Sequence, residues 1–249
     1  ATGPSFQRIA YIKVFLGSRS REAFRLLAQK GISDPEFQNS VSHVPEYDLI
    51  LWRFPHDPAL PHLRQLVDLL AVQQHLPVEG LRQIGIQGTA QVLAQQVVNY
   101  RPEIRCTNRY NLYDSTHDRT CQLFGKTFGD SQGQTLYERL QYFWDRSLAD
   151  QEAMTIAQPL GYSAAINTVW QRGVPGTPLL HVLNTNNYRP YIAAVAKGLA
   201  SLHTSDIGDL AAHSPENHLV ETHKKLSKLS DAIPRLSETC GGVADEVEQ

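Results

Sequence analysis

Hydrophobic positions along the chain follow a strand period in some stretches and a helix period in others. Residues 8–17 and 47–54 are rich in β-branched and aromatic residues and predict two strands. Between them, SREAFRLLAQKG predicts a short helix from Ser20 to Gly31. After the second strand, HDPALPHLRQLVDLLAVQQHL predicts one helix, because its leucines recur at helical spacing and its prolines stand early.

Between residues 90 and 128 the sequence pattern predicts strands only. Three runs of strand length occur here: AQVLAQQVVNY, IRCTNRYNLYD and RTCQLFGKTF. Turn-like residues separate them at 101–103 and at 114–118. Connectors this short predict an antiparallel meander.

Beyond the meander, the pattern predicts a helix over 132–146, a loop at 159–162 and a strand over 164–172. The segment GVPGTPL that follows is typical of a connector between two lobes.

The last part of the chain is predicted to be helical. One helix is expected over 188–203 and another over 216–238, with Pro234 kinking or ending the second. A β-rich first part and a helical last part predict the α+β class with segregated layers.

Composition narrows the classes of partner. The 249 residues carry a net charge of -2, which gives no global field for binding nucleic acid or an anionic membrane. No window of eighteen apolar residues occurs, and the first residues, ATGPSFQRIA, lack the pattern of a signal peptide. The three cysteines, an odd number without a CxxC pair, predict reduced thiols in the cytoplasm.

Lys126 is the first candidate for chemistry. Phe124 and Phe128 flank it at two residues and so share its face of the strand. An ammonium group on an aromatic face needs an anionic partner, because an unpaired buried charge is costly. Glu138, inside the following helix, is the nearest acid and the expected partner. The alternative is an ordinary solvated lysine at a strand end.

Four segments support a more specific interpretation. In order, they are YRPEIRCTNRYNL, QLFGKTFGDSQGQTLYERL, QPLGYSAAINTVWQRGVPGTPL and IAAVAKGLASLHTS. Together they resemble the N-terminal half of phosphotransferases of the aminoglycoside/choline-kinase-like superfamily, and the likeness extends from about residue 47 to 238. It implies a protein-kinase-like N-lobe with an antiparallel sheet and a flanking helix, followed by the first helices of a helical C-lobe.

The resemblance also implies domain boundaries. Residues 1–89 would form an N-terminal α/β extension and residues 90–176 the nucleotide-binding lobe with its hinge. Residues 177–249 would begin a truncated C-lobe.

Site residues follow from the same resemblance. Lys126 would contact nucleotide phosphates and Glu138 would orient it. The backbone of an adenine-facing hinge would come from Gln171, Arg172, Gly173 and Val174. The implied cofactors are ATP and Mg²⁺ in the full-length enzyme, and the implied acceptor is a hydroxyl of an unidentified small molecule.

The chain departs from that superfamily at two places. Residues 101–104 stand where a glycine-rich phosphate loop is expected, and the only other candidate is GIQG at 85–88. No HGDxxxxN catalytic segment occurs, and HTSD at 203–206 has neither its spacing nor its asparagine. We therefore expect no catalytic or metal-binding residues, weak or no nucleotide binding and no phosphate transfer by this chain alone.

Two alternatives stay open: a non-catalytic, kinase-like interaction or regulatory module, and an α+β binding domain unrelated to kinases. The first would carry out no chemistry at all. The second is favoured if Lys126 is fully solvated and far from Glu138.

Three other groups of residues give weaker evidence for a functional site. His213, His218 and His223 recur every five residues, which sets successive rings about 140° apart on a helix and argues against a shared metal. GYSAA at 161–165 lacks the last glycine of a nucleophile elbow. Four arginines interleaved with tyrosines predict a solvated face, with anion or single-strand binding as alternatives: Arg101, Arg105, Arg109 and Arg119. A phosphate-facing role is one alternative for Arg105.

Overall fold

The computed structural model describes residues 10–31, 40–86, 90–145, 156–184, 186–204 and 215–239. The chain divides after residue 205 into two compact units. Within the described residues, the first unit holds a three-stranded sheet and a five-stranded sheet, and the strand pairs of both are antiparallel. The predicted α+β class is confirmed.

The three-stranded sheet forms the first part of the chain. Its strands are β1 (Ala10–Val14), β2 (Val41–Val44) and β3 (Leu49–Arg53), in the order β1-β3-β2, and helix α1 (Ser20–Gly31) packs on it. Ile50 and Trp52 are fully buried beneath that helix. Strand β2 was not predicted from the sequence.

A short helical region links the two sheets. Its helices are α2 (Leu63–Val67), α3 (Leu69–Gln73) and α4 (Val78–Gln83). The single long helix predicted here is wrong, because Asp68 has an extended backbone (φ -85°, ψ 123°). The Asp68 carboxylate accepts hydrogen bonds from the N–H groups of Leu70 and Ala71, and it thereby begins a new helix.

The five-stranded sheet carries the site. Its strands are β4 (Ala90–Arg101), β5 (Arg105–Asp114), β6 (Arg119–Phe128), β7 (Pro159–Ser163) and β8 (Thr168–Arg172). They lie in the order β4-β5-β6-β8-β7, with helix α5 (Gln132–Asp145) between β6 and β7 in the chain. The predicted meander of β4, β5 and β6 is confirmed.

The loop predicted at residues 159–162 is wrong, because those residues belong to β7. Proline and glycine are accommodated by an irregularity in the pairing with β8, between Pro159 and Gly161. Gly161 has φ 152°, which glycine adopts readily, so pairing with a buried neighbour outweighs the local turn signal.

The two faces of the five-stranded sheet differ in burial. One face, here called the inner face, packs Tyr110, Leu123 and Trp170 against side chains of the helical region such as Leu66 and Leu81. The opposite face, here called the open face, carries side chains that alternate with these along each strand. Most of them are half-buried on β5 and β6, and they include Arg105, Thr107, Arg109, Phe124 and Lys126.

Helix α5 covers one side of the open face. Its Tyr137 stacks on Tyr162 of β7, with ring centroids 6.4 Å apart. Val169 of β8 and Phe128 of β6 are buried on this side. The part of the open face on β5 and β6 next to Lys126 is less covered.

The remaining helices are α6 (Leu179–Val182) and α7 (Tyr188–Thr204) in the first unit and α8 (Pro215–Ala232) in the second. Pro234 ends the last predicted helix and starts a short 3₁₀ turn. Apolar side chains along α7 are exposed, among them Ile192, Val195 and Leu199. No helix of the described ranges has both the length and the apolar content to cross a membrane.

Candidate functional site

Lys126 lies on the third strand of the five-stranded sheet, counted along the chain. On the open face it pairs across the sheet with Thr107 of β5 and Val169 of β8. Its Nζ lies 5.1 Å from the centroid of the Phe128 ring. Partial burial, and secondarily the positive charge of Arg105, lower the pKa of Lys126. The ammonium group is therefore held in surroundings that favour an added anion.

The structure does not bring Glu138 to Lys126. Glu138 is exposed on α5, where its Oε1 accepts a hydrogen bond of 2.9 Å from Nε2 of Gln134, one turn earlier. Among the described residues, no carboxylate forms an ion pair with Lys126. Both residues stand on the elements that the resemblance implied, yet their side chains do not pair.

The turn between β4 and β5 stands next to Lys126, since Arg105 begins β5 opposite Phe128. This turn contains Pro102, which has no N–H, and Glu103, whose N–H donates to Oδ2 of buried Asp57 at 2.8 Å. The N–H of Ile104 donates to the carbonyl of Arg101. The three turn residues therefore offer no free backbone donor among the described contacts.

Contacts from distant residues fix the same turn. Asp57 also accepts a hydrogen bond from the hydroxyl of Tyr100, and Lys13 pairs with the carboxylate of Glu103. Burial, with the charge of Asp57 as a further cause, raises the pKa of Tyr100, so its hydroxyl remains a donor. No local sequence pattern predicts these contacts, because the partners lie 43 to 90 residues apart.

The four residues predicted as a hinge leave the sheet at the end of β8. Gln171 pairs with Phe124 across the sheet, on the open face. The N–H of Arg172 donates to the carbonyl of Gln158, and that of Gly173 donates to the carbonyl of Gln122. Within the described contacts, the N–H of Val174 has no partner and is the donor available to a ligand.

A pocket of about 460 Å³ lies beside this segment. Side chains and backbone from the hinge and from the open face line it, including Asn111, Gln122, Arg172, Gly173 and Pro175. Gln122 and Lys126 are four residues apart on β6 and on the same face, which places their Cα atoms about 13 Å apart. The pocket and the ammonium group thus lie at two ends of one surface.

The other candidate site residues either bond within the protein or lie outside the residues that the structure describes. Arg109 donates to Oε1 of Gln96, and Arg119 bonds to Asp114 and to two backbone carbonyls. No group of three metal-binding side chains occurs among the residues described. The predicted candidates at His213, at residues 205–206 and at residues 87–88 lie outside the described residues, as does the side chain of His218.

Comparisons with family models, with curated proteins and with solved structures give no match for this chain.

Proposed function

We propose that the open face of the five-stranded sheet binds ATP, as the nucleotide-binding lobe of a small-molecule phosphotransferase. In that enzyme the γ-phosphate would be transferred to a hydroxyl group. The observation that carries the proposal is the position of Lys126: third strand, open face, with a helix following directly in the chain. Protein kinases place their phosphate-binding lysine on the third strand of the small lobe and its glutamate partner on the next helix.

Two further observations support this use of the surface. The pocket beside residues 171–175 is bounded by backbone groups and by the amide side chains of Asn111 and Gln122, which suit the edge of a base. Lys126 lies further along the same face and lacks a carboxylate partner among the described residues. A base at the pocket and phosphates at Lys126 would use both ends of the surface.

The proposal concerns binding. An HGDxxxxN segment is not among the 249 residues, so the transfer step and Mg²⁺ coordination are assigned to the full-length enzyme. One observation favours the alternative of a non-catalytic, kinase-like module, namely that Glu138 bonds to Gln134 instead of Lys126. An active kinase needs that lysine–glutamate pair in place.

The test is a titration with a fluorescent ATP analogue and Mg²⁺, carried to ligand concentrations high enough to detect the weak binding expected of this chain alone. We expect K126A to weaken binding about tenfold or more, because one charge-assisted contact contributes roughly 1.5 to 3 kcal/mol. K197A, which removes an exposed lysine from α7, is the matched control and should bind as the unmodified chain does. Equal affinities for K126A and K197A would refute the nucleotide site.

The same titration separates the two candidate functions. If the pair forms when nucleotide binds, E138A will weaken binding although Glu138 bonds to Gln134 in the free chain. If E138A binds as the unmodified chain does, Lys126 acts without Glu138 and the non-catalytic module is favoured.

A further inference from the structure

Arg105 and Lys126 form a pair of cations on the open face. Arg105 begins β5 directly opposite Phe128, and Lys126 lies two residues before Phe128 on the neighbouring strand. Since side chains alternate between faces, both project from the same side of the sheet. Both are half-buried, and the charge of Arg105 is one cause of the lowered pKa of Lys126.

Nothing in the described part of the chain neutralises this pair. Arg105 makes no hydrogen bond or ion pair with any described residue, whereas Arg109 and Arg119 are both engaged. Two acids of the adjoining turn region are occupied: Glu103 pairs with Lys13, and Asp57 accepts from three donors. Two partly desolvated like charges without a counter-charge favour the binding of an anion.

The turn between β4 and β5 explains why phosphate binding at this site would need a second cation. In kinases a glycine-rich loop covers the phosphates, and backbone N–H groups can hold phosphate oxygens. Here Pro102 has no N–H, and the N–H groups of Glu103 and Ile104 are already bonded within the protein. This turn therefore supplies no backbone donor to a polyphosphate, and nearby side chains can take that role.

We propose that Arg105 binds the polyphosphate of the nucleotide together with Lys126, in place of a glycine-rich loop. The guanidinium group presents paired N–H donors to two phosphate oxygens, and the ammonium group adds a third contact. This inference rests on the proposed function, because it assigns the phosphate end of the same site.

The experiment compares R105A, R105K, K126A and R21A in titrations with ATP and with inorganic tripolyphosphate. Arg21 is the control, because it is an exposed arginine on α1, outside the five-stranded sheet. We expect R105A to weaken the binding of both ligands about tenfold or more and R105K to recover part of the loss. R21A should change the affinity for either ligand by no more than about twofold.

The outcomes distinguish the two proposals. If K126A weakens ATP binding and R105A behaves as R21A does, the role of Arg105 is overturned and the nucleotide site stands. If R105A weakens tripolyphosphate binding while K126A changes the affinity for neither ligand, Arg105 binds phosphate. The proposal of a nucleotide-binding lobe is then overturned. If the unmodified chain binds neither ligand, both proposals fail.

A measurement without ligand gives a second readout. In R105A the pKa of Lys126 should rise toward its ordinary value, as followed by NMR of labelled lysine side chains. R105Q, which keeps much of the side-chain volume, replaces R105A if the smaller variant does not fold. An unchanged Lys126 titration in a folded variant would contradict the electrostatic contact between the two cations and would count against their joint role.

Discussion

Lys13 and Glu103 lie 90 residues apart in the chain, and the Lys13 ammonium contacts both carboxylate oxygens of Glu103, at 2.9 and 2.7 Å. The pair joins the three-stranded sheet to the turn between β4 and β5. Its side chains are 38% and 32% exposed, so solvent screens part of the attraction.

We expect K13A and E103A each to lower the free energy of unfolding by no more than about 1 kcal/mol. A double-mutant cycle measured by urea denaturation should show that the two losses are coupled. E79A, which removes an exposed local pair with Arg82 on α4, is the control and should cost less. Strictly additive losses would mean that the pair contributes nothing in solution.

Asp57 is the buried acceptor for three donors: the Tyr100 hydroxyl and the N–H groups of Ala59 and Glu103. In D57N one oxygen becomes an N–H₂ group, which leaves at least one donor unpaired. We expect a loss of about 1 to 3 kcal/mol in unfolding free energy. Y100F removes only one donor and should lower the unfolding free energy by less than D57N does. The prediction is wrong if D57N unfolds at the same urea concentration as the unmodified chain.

Gly133 lets α5 approach the sheet closely. A Cβ atom at this position would lie 2.4 Å from Oδ1 of Asn167 and 3.1 Å from the Tyr162 ring. Although alanine favours helix, we expect G133A to destabilise the chain by about 1 to 3 kcal/mol through overpacking. Q134A, at the next and exposed position, should stay within about 0.5 kcal/mol. Thermal unfolding of the two variants followed by circular dichroism checks this.

The buried carboxylate of Asp114 contacts Nδ1 of His117 at 2.8 Å and Nε of Arg119 at 3.3 Å, and it accepts from the N–H of Thr116. Burial raises its pKa, but the contacts with His117, Thr116 and Arg119 outweigh burial, so the pKa lies below 3.8. Because folding lowers this pKa, the ionised carboxylate stabilises the fold fully above pH 3.8 and loses its effect as pH falls through the folded value.

Unfolding free energies measured from pH 7 to pH 2.5 should therefore fall less steeply at the acid end for D114N than for the unmodified chain. D118N removes an exposed acid from the same turn and is the control. Parallel curves for D114N and the unmodified chain would contradict the assigned shift.

Much of the fold could be predicted because local rules agreed with it. The strands β4, β5 and β6 combine strand-forming residues with short turns, and Ser20, Gly31 and Pro234 mark the expected helix ends. The failures have physical causes. Asp68 breaks a periodic leucine pattern by bonding to the next N–H groups, and pairing with β8 makes residues 159–163 a strand despite proline and glycine.

The candidate site was predictable only in part. Alternation along β6 placed Lys126 with Phe124 and Phe128 on one face, as the register shows. It could not show that Glu138 bonds to Gln134, because the rotation of α5 depends on tertiary contacts such as that of Gly133 with Asn167. Nor could it show the contacts of Asp57 and Lys13 with the turn, since these depend on how distant segments pack.

The anchoring of the turn between β4 and β5 has a kinetic consequence. A turn bonded to Asp57 and Lys13 is not free to close over a ligand as a flap does. A polyphosphate arriving at the neighbouring cations would enter and leave without waiting for a lid, so its association rate should be governed by diffusion and should fall as ionic strength rises.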